Sequence, residues 1–258
     1  MYVLIIKDDN IVKEIEETVN NIANNITHLD IVVNSLEEAV EEVNKLKTED
    51  YNLFRGQSGL WPVVSNLNRL KGNERDEAIN KAFVIQQFLN QNSMLSQDEI
   101  IAALQHYGIP TNFVDFTTDP NVAAYFTTCL SGKEPNEYGC IICIDKEEVK
   151  EIINILSNDD TYVGSETSNL IKTNEVPEAE VIDIYVDNLF RKEAQKGEFL
   201  FLPFIGFEIR MPYKRVIFKN SAENQKKFNK LDFFPEKKSE LEENVDTLIK
   251  LFNNFVVV

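Results

Sequence analysis

The sequence is short of the residues that build small secreted domains and metal centres. Its three cysteines, Cys129, Cys140 and Cys143, are too few and too clustered for a disulfide framework, so a reducing compartment fits. With only two histidines, no His pair stands near Cys140 and Cys143 to complete their C-x-x-C spelling as a zinc site. Within the run YGCIICID that spelling reads as a strand, on which residues three apart point to opposite faces. Core cysteines are expected there, and no metal.

Long apolar runs are missing as well. The opening MYVLII stops at Lys7, Asp8 and Asp9, short of a signal-peptide core and of the roughly 20 residues that span a bilayer. A cytoplasmic protein is expected, without membrane contact. Basic residues are scarce: 26 Lys+Arg against 43 Asp+Glu leave a net charge of −17, which repels phosphate backbones and anionic lipid at long range. General nucleic-acid binding is thereby disfavoured, although a locally basic pocket can still hold one nucleotide. The sequence has no Walker-type loop, no G-x-G-x-x-G and no G-x-S-x-G.

What is present is ordinary globular material, 43% hydrophobic and 27% charged over 258 residues, enough for one large domain or two small ones. Residues 1–6 read as a strand and 11–25 as an amphipathic helix. A second strand over 28–33 is followed by a helix opened by Ser35 and Glu38 in capping-box spacing. This strand-helix-strand-helix unit, residues 1–47, is set apart as a small N-terminal extension, leaving 48–258 as the main domain. There, strands are expected over 51–56, 114–116, 140–144, 181–186, 200–204 and 215–218, and helices over 73–90, 98–107, 120–130 and 239–252. Strands and helices mix without strict alternation, so the fold expected is α+β, with a mixed, largely antiparallel sheet.

Three clusters offer chemistry. Arg55 ends a strand between Phe54 and Gly56; its guanidinium is a fork matched to phosphate or carboxylate, and glycine lets a ligand approach the backbone. The plainer reading is a surface arginine before a turn. His106 lies in Gln105-His-Tyr-Gly-Ile-Pro-Thr111 at a helix end, where the dipole favours a protonated imidazole; it serves equally as a simple helix-terminal residue. Asp115 can orient a histidine, meet a ligand or cap backbone. The polar run from Arg191 through Gln195 to Glu198 precedes an apolar strand, where a carboxylate can bind a ribose diol, act as a base or merely be solvated. Glu178 and Glu180 carry the same ambiguity.

The order of these pieces is recognisable. Asn52-Leu-Phe-Arg55-Gly-Gln57, Leu60-Trp-Pro62 with Arg69, Gln105 to Thr111, Asp115-Phe-Thr117, Pro120 and Ala123-Ala-Tyr-Phe126 together resemble the FRG domain, named for its Phe-Arg-Gly motif. The resemblance continues through Arg191, Gln195, Gly197 and Phe199 to Leu231-Asp-Phe-Phe-Pro235, about residues 48–252. Asn112 and Phe116 stand where the family usually has arginine and tryptophan. The resemblance implies a bacterial or phage module in a defence or toxin-like setting. A more distant likeness to ADP-ribosyltransferases implies that Arg55 holds the pyrophosphate of NAD, that Thr117 stands near the nicotinamide ribose, that Tyr125 or Phe126 stacks, and that Gln195 or Glu198 contacts the second ribose. The spacing Gln195-x-x-Glu198 departs from the Gln-x-Glu pattern of those enzymes.

The leading expectation is therefore one pocket for a phosphate-bearing, nucleotide-like ligand, with NAD as substrate for ADP-ribosyl transfer or hydrolysis. His106, Asp115, Gln195 and Glu198 would carry the chemistry; Arg55, Gln57, Arg69, Thr111, Thr117, Tyr125 and Arg191 would bind the ligand. In so acidic a chain, anion capture needs a concentrated cationic site. The rival readings are a non-catalytic ligand-sensing or protein-binding module, a nuclease-like toxin with His106 as base and Asp115 as its orienter, and a structural network in which Arg55 pairs with Asp115.

Overall fold

The computed structural model describes residues 29–92, 96–129, 136–151, 180–182, 189–201 and 212–255. The strand and helix expected over 1–25 lie outside these residues. Among the described residues, seven strands form one sheet: β1 (Leu29–Val33), β2 (Leu53–Gln57), β3 (Phe113–Thr117), β4 (Tyr138–Ile144), β5 (Glu180–Ile182), β6 (Gly197–Phe201) and β7 (Lys214–Lys219). Their order is β1-β7-β4-β2-β3-β6-β5. Only β1 and β7 pair in parallel; the other neighbours are antiparallel. The fold is α+β on a mixed, largely antiparallel sheet.

The helices named here are α1 (Leu36–Lys47), α2 (Asn73–Asn92), α3 (Gln97–His106), α4 (Pro120–Thr128), α5 (Phe190–Gln195), α6 (Ala222–Gln225) and α7 (Glu240–Phe255). Local signals set their ends. Ser35 caps α1 by accepting from the Glu38 amide at 3.2 Å, while the Glu38 carboxylate reaches one residue further back, to the Asn34 amide at 3.0 Å. Ser96 and Glu99 close a full capping box on α3, as Ser239 and Glu242 do on α7, each satisfying amides that the first turn leaves without intrahelical partners. Gly108 takes φ 85° just past α3, a left-handed conformation that glycine adopts without a Cβ penalty, and Pro120 opens α4 at a position where its missing N–H costs nothing.

One face of the sheet is packed by helices in two groups. α1 and α4 bury Leu36, Ala39, Val43 and Ala123 against Phe54, Ile141, Val216 and Phe218. α2, α3 and α7 bury Ile85, Ile100, Leu104 and Val245 against Phe113, Phe199 and Phe201. The opposite face carries Leu53, Val114, Cys140, Ile142, Ile144, Leu200 and Ile217. Of residues 1–47, which the sequence sets apart, the described part adds β1 to the edge of the common sheet and α1 to its helical layer. Among the described residues no helix is long and apolar enough to cross a membrane.

Candidate functional site

The sheet is split between its two central strands. β2 pairs along its whole length with β4, and β3 along its whole length with β6, yet β2 and β3 meet only at Phe54 and Thr117. Side chains alternate across a strand and opposed residues share a face. Arg55, Phe116 and Glu198 therefore belong to one face of the sheet, and Phe54, Asp115, Thr117 and Phe199 to the other. All seven line a single cavity of about 220 Å³, together with Gly56, Gln105, His106, Phe126, Gln195, Gly197 and Phe234. A cavity lined from both faces is what an opened ladder provides.

Arg55 bridges the split, its Nη1 donating to the Asp115 carbonyl oxygen at 2.7 Å. Its pairing with Asp115 is thus through the backbone oxygen. Gly56 is required for a different reason from the one the sequence suggests. A Cβ built there would lie 1.8 Å from the Ala123 carbonyl oxygen, so the glycine makes room for helix α4, which seats β2 against the helical layer.

The polar centre is organised by Gln105 in the last turns of α3. Its Nε2 donates to the Phe113 carbonyl at 3.1 Å and to Asp115 Oδ2 at 3.0 Å, and its Oε1 accepts from the Thr111 hydroxyl. Asp115 Oδ1 and His106 Nε2 are both buried with no hydrogen-bond partner, and buried polar atoms without partners are rare enough in folded proteins to need an explanation. The His106 ring meets the edge of Phe199 at 5.6 Å. Burial holds its pKa below the ordinary 6.5, against the opposing pull of the Asp115 carboxylate, so the imidazole is neutral near pH 7.

Opposite this wall, the Thr117 hydroxyl donates to the Gln195 carbonyl at 2.7 Å, and Gln195 Nε2 donates to the Phe233 carbonyl at 3.0 Å. Glu198 is held by Lys146 at 2.8 Å. One guanidinium and two carboxylates line the cavity, so its wall is not the concentrated cationic site expected from net charge.

Of the residues singled out in the sequence for the site, Arg55, His106, Asp115, Thr117, Phe126, Gln195 and Glu198 share this cavity, and Gln57, Arg69, Thr111, Tyr125 and Arg191 do not line it. Gln57 is buried beside the Cys140 thiol. Arg69 is exposed, with its Nε on the Val64 carbonyl at 3.2 Å. Thr111 lines a separate space of about 20 Å³ under α2. Tyr125 is buried, stacked on Phe233 at 4.1 Å. Arg191 lies between Tyr107 and Phe234, at 4.5 and 5.5 Å from their ring centroids, and donates to the His106 carbonyl at 2.8 Å. Cys140 and Cys143 are fully buried, and burial pushes the Cys140 thiol up to about 12. Glu178 and the Glu180 side chain lie outside the described residues. Among the described residues, no group of three or more His, Cys, Asp or Glu side chains is placed to hold a metal ion.

The sequence patterns do not by themselves mark Gln105 as the organiser of Asp115, or Phe116, Phe199 and Phe234 as the aromatic walls. Gln105 stands in the same heptapeptide as His106, one residue before it, and its signal was an amide at a helical position otherwise facing the core.

Residues 50–136 match the family model of the FRG domain. The matched segment supplies β2, α3, β3 and α4, hence the Arg55, Gln105, His106 and Asp115 wall; Gln195, Glu198 and Phe234 lie beyond it. No curated protein and no solved structure matches the chain.

Proposed function

On the premise that the chain carries an FRG domain over residues 50–136, we propose that the cavity takes the nicotinamide–ribose end of NAD and promotes cleavage of its glycosidic bond, passing ADP-ribose to water or to an acceptor. The observation that supports this is the arrival of Arg55, His106, Asp115, Gln195 and Glu198 at one aromatic-walled cavity, two of whose buried polar atoms have no protein partner. At about 220 Å³, the space is smaller than the roughly 300–1,000 Å³ of sites that enclose a whole drug-sized ligand. It suits one ring and its sugar.

The chemistry follows from the groups in place. When the bond between ribose C1′ and the nicotinamide nitrogen breaks, its electron pair leaves with nicotinamide and positive charge builds on the ribose, as in other oxocarbenium-like reactions. A fixed carboxylate at that position stabilises the charge, and Glu198 is fixed by Lys146. Neutral His106 can take the proton of the incoming water or hydroxyl, and the nearby Asp115 carboxylate favours the imidazolium that forms. Aromatic faces from Phe116, Phe126 and Phe234 suit a planar ring.

Incubation with NAD, with and without cell extract, should release nicotinamide, and Glu198→Gln or His106→Gln should suppress the release while melting like the wild type. Wild-type protein that neither binds NAD nor releases nicotinamide would reject the proposal. A second reading, ligand sensing without turnover, is favoured by one specific observation: Arg55, Thr117 and Gln195 each direct a donor to a backbone carbonyl. In that case NAD raises the melting temperature by mass action and is recovered intact.

A further inference from the structure

We propose that the phosphates of the ligand leave the cavity past Phe234 and are held there by Lys230 and Arg191. This rests on the reading above, in which the nicotinamide–ribose end occupies the cavity. The cavity itself is a poor host for a pyrophosphate, because its one guanidinium already donates to the Asp115 carbonyl and shares the wall with the Asp115 and Glu198 carboxylates. Cations gather instead at one point of its rim.

Phe234 lines the cavity, is partly exposed, and meets the edge of the equally partly exposed Phe126 at 6.1 Å. Lys230 Nζ stands 5.9 Å from the Phe234 centroid and the Arg191 guanidinium 5.5 Å from it. Arg191 is fixed by Tyr107 at 4.5 Å and by the carbonyl of cavity-lining His106 at 2.8 Å, so its charge has a set position relative to the cavity. Residues 226–238 hold five lysines against Asp232 and Glu236, the reverse of the chain's overall balance. Three of these lysines, Lys226, Lys227 and Lys238, are committed to Glu223, Glu37 and Asp246. Lys230 rests on an aromatic ring and is exposed. A lysine held by a ring alone turns to a phosphate at little cost, because cation–π attraction at an exposed site is weak next to a charge-assisted hydrogen bond. In a chain of net charge −17, a local basic rim also offsets the long-range repulsion that an anionic ligand meets.

The test titrates NAD and nicotinamide riboside, which lacks phosphate, into the full chain by calorimetry, in a Glu198→Gln background so that bound NAD is not consumed. NAD should bind more tightly than nicotinamide riboside and lose affinity as salt rises. Lys230→Ala should weaken NAD about tenfold, and Lys230→Glu more, with nicotinamide riboside changed less than about twofold. If nicotinamide riboside binds but NAD gains nothing over it, or if both Lys230 variants hold NAD like the parent, the rim proposal is overturned and the cavity reading stands. If neither compound binds the parent or the wild type, both are overturned.

Discussion

Replacing Gly56 by alanine tests how the site is held together. The added Cβ would lie 1.8 Å from the Ala123 carbonyl oxygen, 2.8 Å from its carbon and 3.0 Å from the Thr127 amide nitrogen, all backbone atoms of α4. No side-chain rotation relieves such contacts, so β2 and α4 must part by more than an ångström, loosening the cluster in which Phe54 and Ala123 are fully buried. Overpacking usually costs about 1–3 kcal/mol, and obstruction by backbone on the helix side sets the expectation at the upper end, about 3 kcal/mol. In a chain of this size each kcal/mol moves the melting temperature by about 2–4 °C, so Gly56→Ala should melt about 6–12 °C below the wild type. Gly72→Ala supplies the contrast: nothing lies within 4 Å of a Cβ there, and only the left-handed φ of 53° is strained, for about 1 kcal/mol. Melting followed by circular dichroism at two protein concentrations decides between them. A Gly56→Ala protein that melts within about 2 °C of the wild type, or above Gly72→Ala, refutes the close seating of β2 on α4.

Three further outcomes are expected. Because burial holds His106 below its ordinary 6.5, the unfolded chain binds more protons than the folded one as pH falls through that value; stability should be level above it and fall below it, by at most about 1.4 kcal/mol per pH unit. Denaturant unfolding from pH 7.5 to 5 should show this decline and His106→Gln should flatten it, whereas an unchanged slope would speak against a buried neutral imidazole. Gln105→Leu strips partners from the Phe113 carbonyl, the Asp115 carboxylate and the Thr111 hydroxyl, and should cost about 3 kcal/mol in urea unfolding; a loss below about 1 kcal/mol would mean that these groups find other partners. Native protein at pH 8 should resist alkylation at Cys140 and Cys143, both fully buried with their thiols pushed far up, and peptide mapping that finds either one rapidly modified would contradict their burial.

Much of the architecture is written locally. The strand expected over 114–116 is β3, the helix over 73–90 is α2, and the capped helix near Ser239 is α7, because hydrophobic period, capping residues and helix stops act within a few positions of one another. Pairing across long separations is not local, which is why residues 1–47 read as a unit of their own without any sign that β1 pairs with β7. β1 joins β7, Leu29 beside Lys214, and no period within either strand encodes that choice. His106 shows how magnitude decides between two effects that are both visible in sequence. A helix C-terminus favours a cation by about 0.3–1 kcal/mol, whereas burial shifts a histidine by up to several pKa units, and burial depends on β6 bringing Phe199 against a ring that the heptapeptide alone leaves at a helix end. Gly56 was equally undecidable: the letter announces a close approach without saying whether ligand or helix makes it.

The site did leave one readable trace, in the alternation of β3. Phe113, Asp115 and Thr117 point to the face that the helices cover, and two of these three core-facing positions are polar. A strand whose buried face turns polar must find partners there, since each buried group left unpaired costs about 1–3 kcal/mol. β2 cannot supply them, because it meets β3 only at Phe54 and Thr117. Gln105 on α3 satisfies one carboxylate oxygen, the Gln195 carbonyl engages the Thr117 hydroxyl, and Asp115 Oδ1 is left over. The opened ladder and the polar strand face are thus two aspects of one feature: the split that forms the cavity also leaves a carboxylate oxygen there without a protein partner. Closing the split with an apolar pair, Asp115→Val with Gln105→Leu, removes both buried polar groups together. That double variant should therefore be more stable than Gln105→Leu alone by about 1–3 kcal/mol, while losing the capacity to bind NAD.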